Sequence, residues 1–128
     1  METKTNKQVI VSAQAPAAIG PYSQAILSDG LIFASGQLGM DTNKVFPKST
    51  ADQTRQSLEN VKAILKEAGC TMQDVVKTTI FITDMNDFGA VNAVYGEYFQ
   101  SPYPARSCIA VKALPLGAQV EIEVIARA

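Results

Sequence analysis

The dipeptide Asp29-Gly30 constrains this chain more than any other short stretch. It separates two apolar runs, Ala25-Ile26-Leu27-Ser28 and Leu31-Ile32-Phe33-Ala34. A two-residue hairpin loop that matches the twist of its strands needs positive φ at both positions, and Asp-Gly supplies this. The chain must therefore contain an antiparallel sheet. An isolated hairpin is marginal in water, so the rest of the chain has to extend this one and cover its apolar face.

The flanking segments do both. Gln8 to Ser12 reads as a short first strand, with Val9-Ile10-Val11 β-branched throughout. Ala15 to Tyr22 is a loop by its Gly20 and two prolines. Tyr22 either pins that loop to the body or stands at the rim of a pocket. The second hairpin strand runs into Ser35-Gly36-Gln37, where a glycine marks a bulge or strand exit and lets a backbone or ligand approach closely. A loop from Met40 to Ser49 leads to a helix of about five turns. Thr50 and Gln53 fit a capping box, Leu58, Val61, Ile64, Leu65 and Ala68 lie on one face, and Gly69 is a stop signal.

Val75 to Thr83 is a β-branched strand, apolar at both parities after Thr79, which predicts a central strand covered on both sides. Asp84 to Asp87 caps a second helix whose apolar face is Phe88, Val91, Tyr95, Tyr98 and Phe99. Asn92 falls on that face, either as a buried amide with partners or as one aimed into a pocket. Ser107 to Lys112 and Gln119 to Ile125 are the last two strands. The order is β-β-β-α-β-α-β-β: an α+β fold of about six strands with two helices packed on one face of the sheet. The uncovered face predicts a closed oligomer, with Thr79, Phe81, Cys108 and Ala110 as its apolar surface.

Composition narrows the chemistry. The 128 residues suit a single domain, 1–128, with 11 basic and 12 acidic side chains and a net charge of -1. No basic cluster marks a nucleic-acid face, and no apolar run approaches the roughly 18 residues of a membrane span. The polar N-terminus, Met1 to Lys7, lacks the apolar core of a signal peptide, so the expected location is the cytoplasm. The chain has no histidine, which excludes a Ser-His-Asp triad, a Cys-His pair and a His-ligated metal. The two cysteines, Cys70 and Cys108, are in no metal-binding spacing. Any catalysis must draw on carboxylates, Arg, Tyr, Ser, Cys, backbone groups and water.

Within those limits Pro104-Ala105-Arg106-Ser107-Cys108 stands out. The planar guanidinium of Arg106 is shaped to hold a carboxylate by two parallel hydrogen bonds. That carboxylate belongs either to this protein or to a small ligand. If the last two strands pair as a hairpin with Lys112 near Gln119, Ala110 faces Glu121. Arg106, Cys108 and Glu121 then share one face. A direct Arg106–Glu121 pair makes the site structural. A gap between them makes room for a small anion and a water.

Several segments, taken together and in order, resemble the RidA family, also called YjgF/YER057c/UK114. They are Ala15 to Gln24, Ser35-Gly36-Gln37, Gln56 to Ile64, Val76 to Phe81, Val91 to Tyr95, Pro104 to Cys108 and Val120 to Glu123. The resemblance implies a chorismate-mutase-like fold and a homotrimer with clefts at subunit interfaces. It implies deamination of small 2-imino and 2-enamino acids: 2-aminoacrylate, 2-aminocrotonate, and their imine tautomers 2-iminopropanoate and 2-iminobutanoate. The products are 2-oxo acids and ammonia. No cofactor or metal is implied. The implied role is metabolite damage control, removing these intermediates before they harm pyridoxal-phosphate enzymes.

Residue by residue, the resemblance implies that Arg106 binds the substrate carboxylate and Glu121 holds the attacking water. Tyr22, Ser35, Gly36, Asn92 and Cys108 complete the binding site, Cys108 through its backbone N–H, its small size or its thiol. Departures are Ala110, where many members have Glu, and Leu116-Gly117, where many have Lys-Asp. A non-catalytic trimer that binds small carboxylates is the alternative. RNA cleavage fits poorly with the charge and the missing histidine.

Overall fold

A computed structural model describes residues 6–128. Its elements are β1 (Gln8–Ile10), β2 (Ala25–Ser28), β3 (Leu31–Leu38), α1 (Thr50–Glu67), β4 (Val75–Ile82), α2 (Phe88–Tyr98), β5 (Ala105–Ala110) and β6 (Val120–Arg127). Single 3-10 turns at Met72–Asp74, Met85–Asp87 and Pro115–Gly117 lead into β4, α2 and β6. The Asp-Gly hairpin forms as expected: Ser28 pairs with Leu31, and Asp29 and Gly30 have φ of 51° and 77°. Such positive φ at both positions is what the tight turn requires.

The six strands make one sheet in the order β1-β2-β3-β6-β4-β5. β6 runs antiparallel to both β3 and β4, while β5 returns parallel to β4 at the edge. The last two strands are therefore not a hairpin, because β4 lies between them. The chain instead builds two strand–helix–strand units, β3-α1-β4 and β4-α2-β5, and such parallel returns need a helix to span them. Both helices lie on one face. Ile32, Ile80, Ile82, Val120, Ile122 and Val124 from the sheet meet Leu58, Val61, Ile64, Leu65 and Val91 from the helices in the core.

β4 is not covered on both sides. Val75, Thr78, Ile80 and Ile82 are buried, while Lys77, Thr79 and Phe81 stay partly open on the far face. Its β-branched run reflects strand propensity as much as burial. Cys108 and Ala110 are not part of that open face. They are in register with Ile80 and Ile82 and so sit on the helix side. The open face carries Phe33, Phe81 and Ile109.

The start of α1 also differs from expectation. Ser49 is the cap, its hydroxyl accepting from the Asp52 N–H at 3.0 Å. Thr50 turns inward, its Oγ1 bonding Gln119 at 2.9 Å and Asp87 at 3.1 Å. Gln53 makes no return bond to the cap. Its amide spans Pro47 O and the Gln119 N–H.

Two further buried polar residues of α1, Ser57 and Asn60, bond the chain at and just past the irregular end of β3. Ser57 Oγ donates to Gln37 O at 2.7 Å. Asn60 Nδ2 donates to Leu38 O and Met40 O at 3.2 and 2.9 Å. Against β6, the register of β3 slips between Ala34 and Gln37, placing a bulge at Ser35-Gly36. The helix thus fastens the chain where β3 leaves the regular ladder, as buried carbonyls require.

Candidate active site

The seven residues singled out from the sequence separate into two groups. Tyr22, Ser35, Gly36 and Glu121 line one cavity of about 620 Å³. Asn92 and Arg106 line another of about 360 Å³, together with Tyr95 and Pro104. Cys108 sits two residues beyond Arg106, packed against the core. Arg106 and Cys108 share a side of β5, as expected. Glu121 does not share it. Register pairs Arg106 with Thr78 and Thr78 with Val124, on the helix side, whereas Glu121 pairs with Phe81 on the open side. The two predicted catalytic residues lie on opposite faces of the sheet, and no contact between them is possible within one chain.

The carboxylate half is built around the bulge. The Ser35 hydroxyl donates to Ser23 O at 2.6 Å, and the Ser35 N–H donates to Gln24 O at 2.9 Å, tying β3 to the loop before β2. Buried Gln24 clamps that loop in turn, donating to Pro16 O and accepting from the Ser12 N–H. Gly36 is the tightest point. A Cβ there would stand 2.7 Å from Glu121 Cδ and 2.9 Å from its Oε2. The bulge and the missing side chain together make room for the half-buried carboxylate. Burial, and then Glu123 on the same face, raises the Glu121 carboxyl above its ordinary range. Tyr22 stands at the rim, 52% exposed, its phenol oxygen accepting from the Ile19 N–H at 3.3 Å. It holds the loop and borders the cavity at once.

The guanidinium half is at the sheet edge. Arg106 donates through Nη1 to Asn92 Oδ1 at 2.7 Å. Its guanidinium carbon lies 4.8 Å from the Tyr95 ring centre and 5.5 Å from that of Phe88. Among the described residues no carboxylate comes within ion-pair reach of it. Asn92 is exposed rather than buried on the apolar face, because α2 ends its contact with the sheet at the edge strand. Burial raises the Cys108 thiol above its usual range, with Arg106 offsetting part of that, so the thiol form dominates. Phe88 and Tyr95 join the site in the structure, whereas the sequence places them only on the core face. Their spacing around Asn92, four before and three after, is the signal that ties all three to one helix stripe. Among the described residues no group of three His, Cys, Asp or Glu side chains could hold a metal ion.

The family model described as endoribonuclease L-PSP matches residues 12–128. This chain belongs to that family, the RidA/YjgF family. A 2-iminobutanoate/2-iminopropanoate deaminase of Capra hircus is 52% identical over 94% of this chain and 89% of its own length. The chloroplastic Reactive Intermediate Deaminase A of Arabidopsis thaliana is 49% identical over 97% of this chain and 67% of its own. Among solved structures, E. coli TdcF with bound serine is 44% identical, with a TM-score of 0.91 over 94% of this chain and 98% of that one. The α+β architecture is therefore that of the RidA family.

Proposed function

We propose that this RidA-family chain is a 2-iminobutanoate/2-iminopropanoate deaminase. It works as a closed homotrimer with a cleft at each subunit interface. The observation that carries the reading is the division of the site. A cavity around Glu121 and a guanidinium with no acidic partner among the described residues face away from each other across one sheet. Head-to-tail contacts that close into a ring bring one half of each subunit onto the other half of its neighbour. The open face with Phe33, Phe81 and Ile109 supplies apolar area for such contacts. The curated relatives at about 50% identity carry the deaminase name.

The chemistry follows from the two halves. The substrate carboxylate binds the partner subunit's Arg106, which places the imine carbon over Glu121. That carbon is already electrophilic, so no histidine is needed. With the imine protonated as its iminium, Glu121 accepts a proton from a water as the water's oxygen bonds to the carbon, and the C=N π pair becomes the lone pair of the amine. The resulting carbinolamine then breaks its C–N bond. The proton held by Glu121 passes to the leaving nitrogen, and the freed carboxylate takes the hydroxyl proton as C=O forms, so that the 2-oxo acid and ammonia depart. Ser35, Gly36 and Tyr22 shape the Glu121 side, and Asn92 and Cys108 the Arg106 side. We assign the cytoplasm as the compartment, in keeping with two free thiols. No helix among the described residues is long and apolar enough to cross a membrane.

Arg106→Ala is expected to cut pyruvate release from freshly generated 2-aminoacrylate by roughly a hundredfold or more. Turnover at the unmutated rate would end this reading. The bound serine of the TdcF relative favours a second reading, a trimer that binds carboxylates without turning them over. That protein would bind 2-oxobutanoate yet give no rate above spontaneous imine hydrolysis. RNA is a poor substrate for a molecule of net charge -1 without histidine.

A further inference from the structure

Among the described residues Arg106 finds only neutral groups: one amide oxygen and two aromatic faces. Each element of that arrangement is itself held. The Tyr95 hydroxyl is hydrogen-bonded to Thr78 Oγ1 at 2.9 Å, both residues being buried, and Thr78 is the register partner of Arg106 on β4. The Tyr95 ring also rests on Phe99, with centres 4.4 Å apart. α2 therefore presents Phe88, Asn92 and Tyr95 as one stripe beneath the guanidinium, anchored to the strand beside it.

We propose that Phe88 and Tyr95 are positioning residues that hold Arg106 preset for a planar carboxylate while leaving its charge uncompensated. The inference rests on the deaminase reading and deepens its binding half. The physical reason is twofold. Ring faces attract a guanidinium without neutralising it, as an acidic partner would. A flat cation held between a ring and an amide loses little further freedom when a ligand binds, so less binding energy is lost to ordering. Of the five N–H donors, one is taken by Asn92, which leaves the remaining fork for the ligand. The arrangement selects arginine over lysine, because an ammonium has no face to stack and no fork to share.

The test uses the assembled protein and two readouts. One is the steady-state KM and kcat for 2-iminobutanoate, and the other is calorimetric Kd for 2-oxobutanoate, a stable carboxylate probe. Phe88→Leu and Tyr95→Leu are each expected to raise KM and Kd roughly threefold to tenfold while kcat changes less. Tyr95→Phe keeps the ring and is expected to restore KM to within about twofold of the parent. In an Arg106→Lys background Phe88→Leu is expected to add nothing, since the stacked partner is gone. Phe88 is only partly buried, so its variant carries the test should Tyr95→Leu fail to fold. Unchanged KM and Kd in folded Phe88→Leu protein, with Arg106→Ala inactive, overturn the positioning role alone. An Arg106→Ala enzyme that keeps full turnover removes the clamp, and with it the function proposed above.

Discussion

A methyl group at Gly36 would fall within 3 Å of three Glu121 atoms. The carboxylate is the movable party, since the bulge backbone is tied through Ser35 and Gln37. Gly36→Ala should therefore fold normally and lose activity by displacing Glu121. We expect a fall in kcat of roughly tenfold to a hundredfold with an unchanged unfolding midpoint, measured by deaminase assay beside thermal denaturation. The neighbour Glu123 acts through charge. Burial, with Glu123 adding to it, raises the Glu121 carboxyl, and water activation needs it ionised. The rate should fall as pH drops through that raised value, above the ordinary glutamate range. Glu123→Gln removes one negative neighbour and lowers the Glu121 pKa. The acid limb of the kcat/KM profile should then move to lower pH, with little change at neutrality. A limb that stays in place, or moves up, contradicts this assignment.

α1 reaches the site without touching it. Asn60 supplies the donor for two buried carbonyls just past the bulge, so Asn60→Ala leaves both unsatisfied. A loss of about 1–3 kcal/mol in denaturant stability is expected, accompanied by lower activity as the bulge loosens. Ser49→Ala removes only the cap bond to the Asp52 N–H and should cost about 1 kcal/mol with activity intact. The extent of α1 is legible from its apolar spacing and from Gly69, which has φ of 75°. Its first residue is not. Ser49 and Thr50 are both residues that cap helices. The choice falls to Ser49 because Thr50 is drawn to Asp87 and Gln119, partners 37 and 69 positions away. The position of Asn92 has a similar cause. Helical spacing places it on the apolar stripe, but β5 ends the sheet beneath it and leaves it beside Arg106.

At the scale of the assembly, the separated half-sites give a sharp test. Arg106→Ala and Glu121→Gln should each be inactive as pure proteins. In the proposed homotrimer, co-refolding them in equal amounts should give mixed rings in which some interfaces pair an intact Arg106 with an intact Glu121. For random mixing of subunits about one interface in four is intact, so about a quarter of the parent activity should return. No recovery from mixed trimers, verified by size and mass, would place both residues in a cleft of a single subunit, contrary to the register across β4 and β6.

The sequence by itself determined the local elements and the chemical inventory. Asp29-Gly30 made the hairpin and the apolar spacing after Ser49 made α1. The missing histidine left carboxylates, Arg, Tyr, Ser, Cys, backbone groups and water as the chemical inventory. These are properties of neighbouring residues, set by allowed φ and ψ, side-chain period and composition. Tertiary structure alone decided strand order and therefore facing. The period of two says that Arg106 and Cys108 point the same way, and that Glu121 and Glu123 do. It says nothing of how one pair lies relative to the other. That depends on β6 entering between β3 and β4 while β5 is carried by α2 to the far edge. The ladder partners in those pairings lie about 30 to 95 residues apart, where the hydrophobic face of the whole sheet, not local propensity, selects the arrangement.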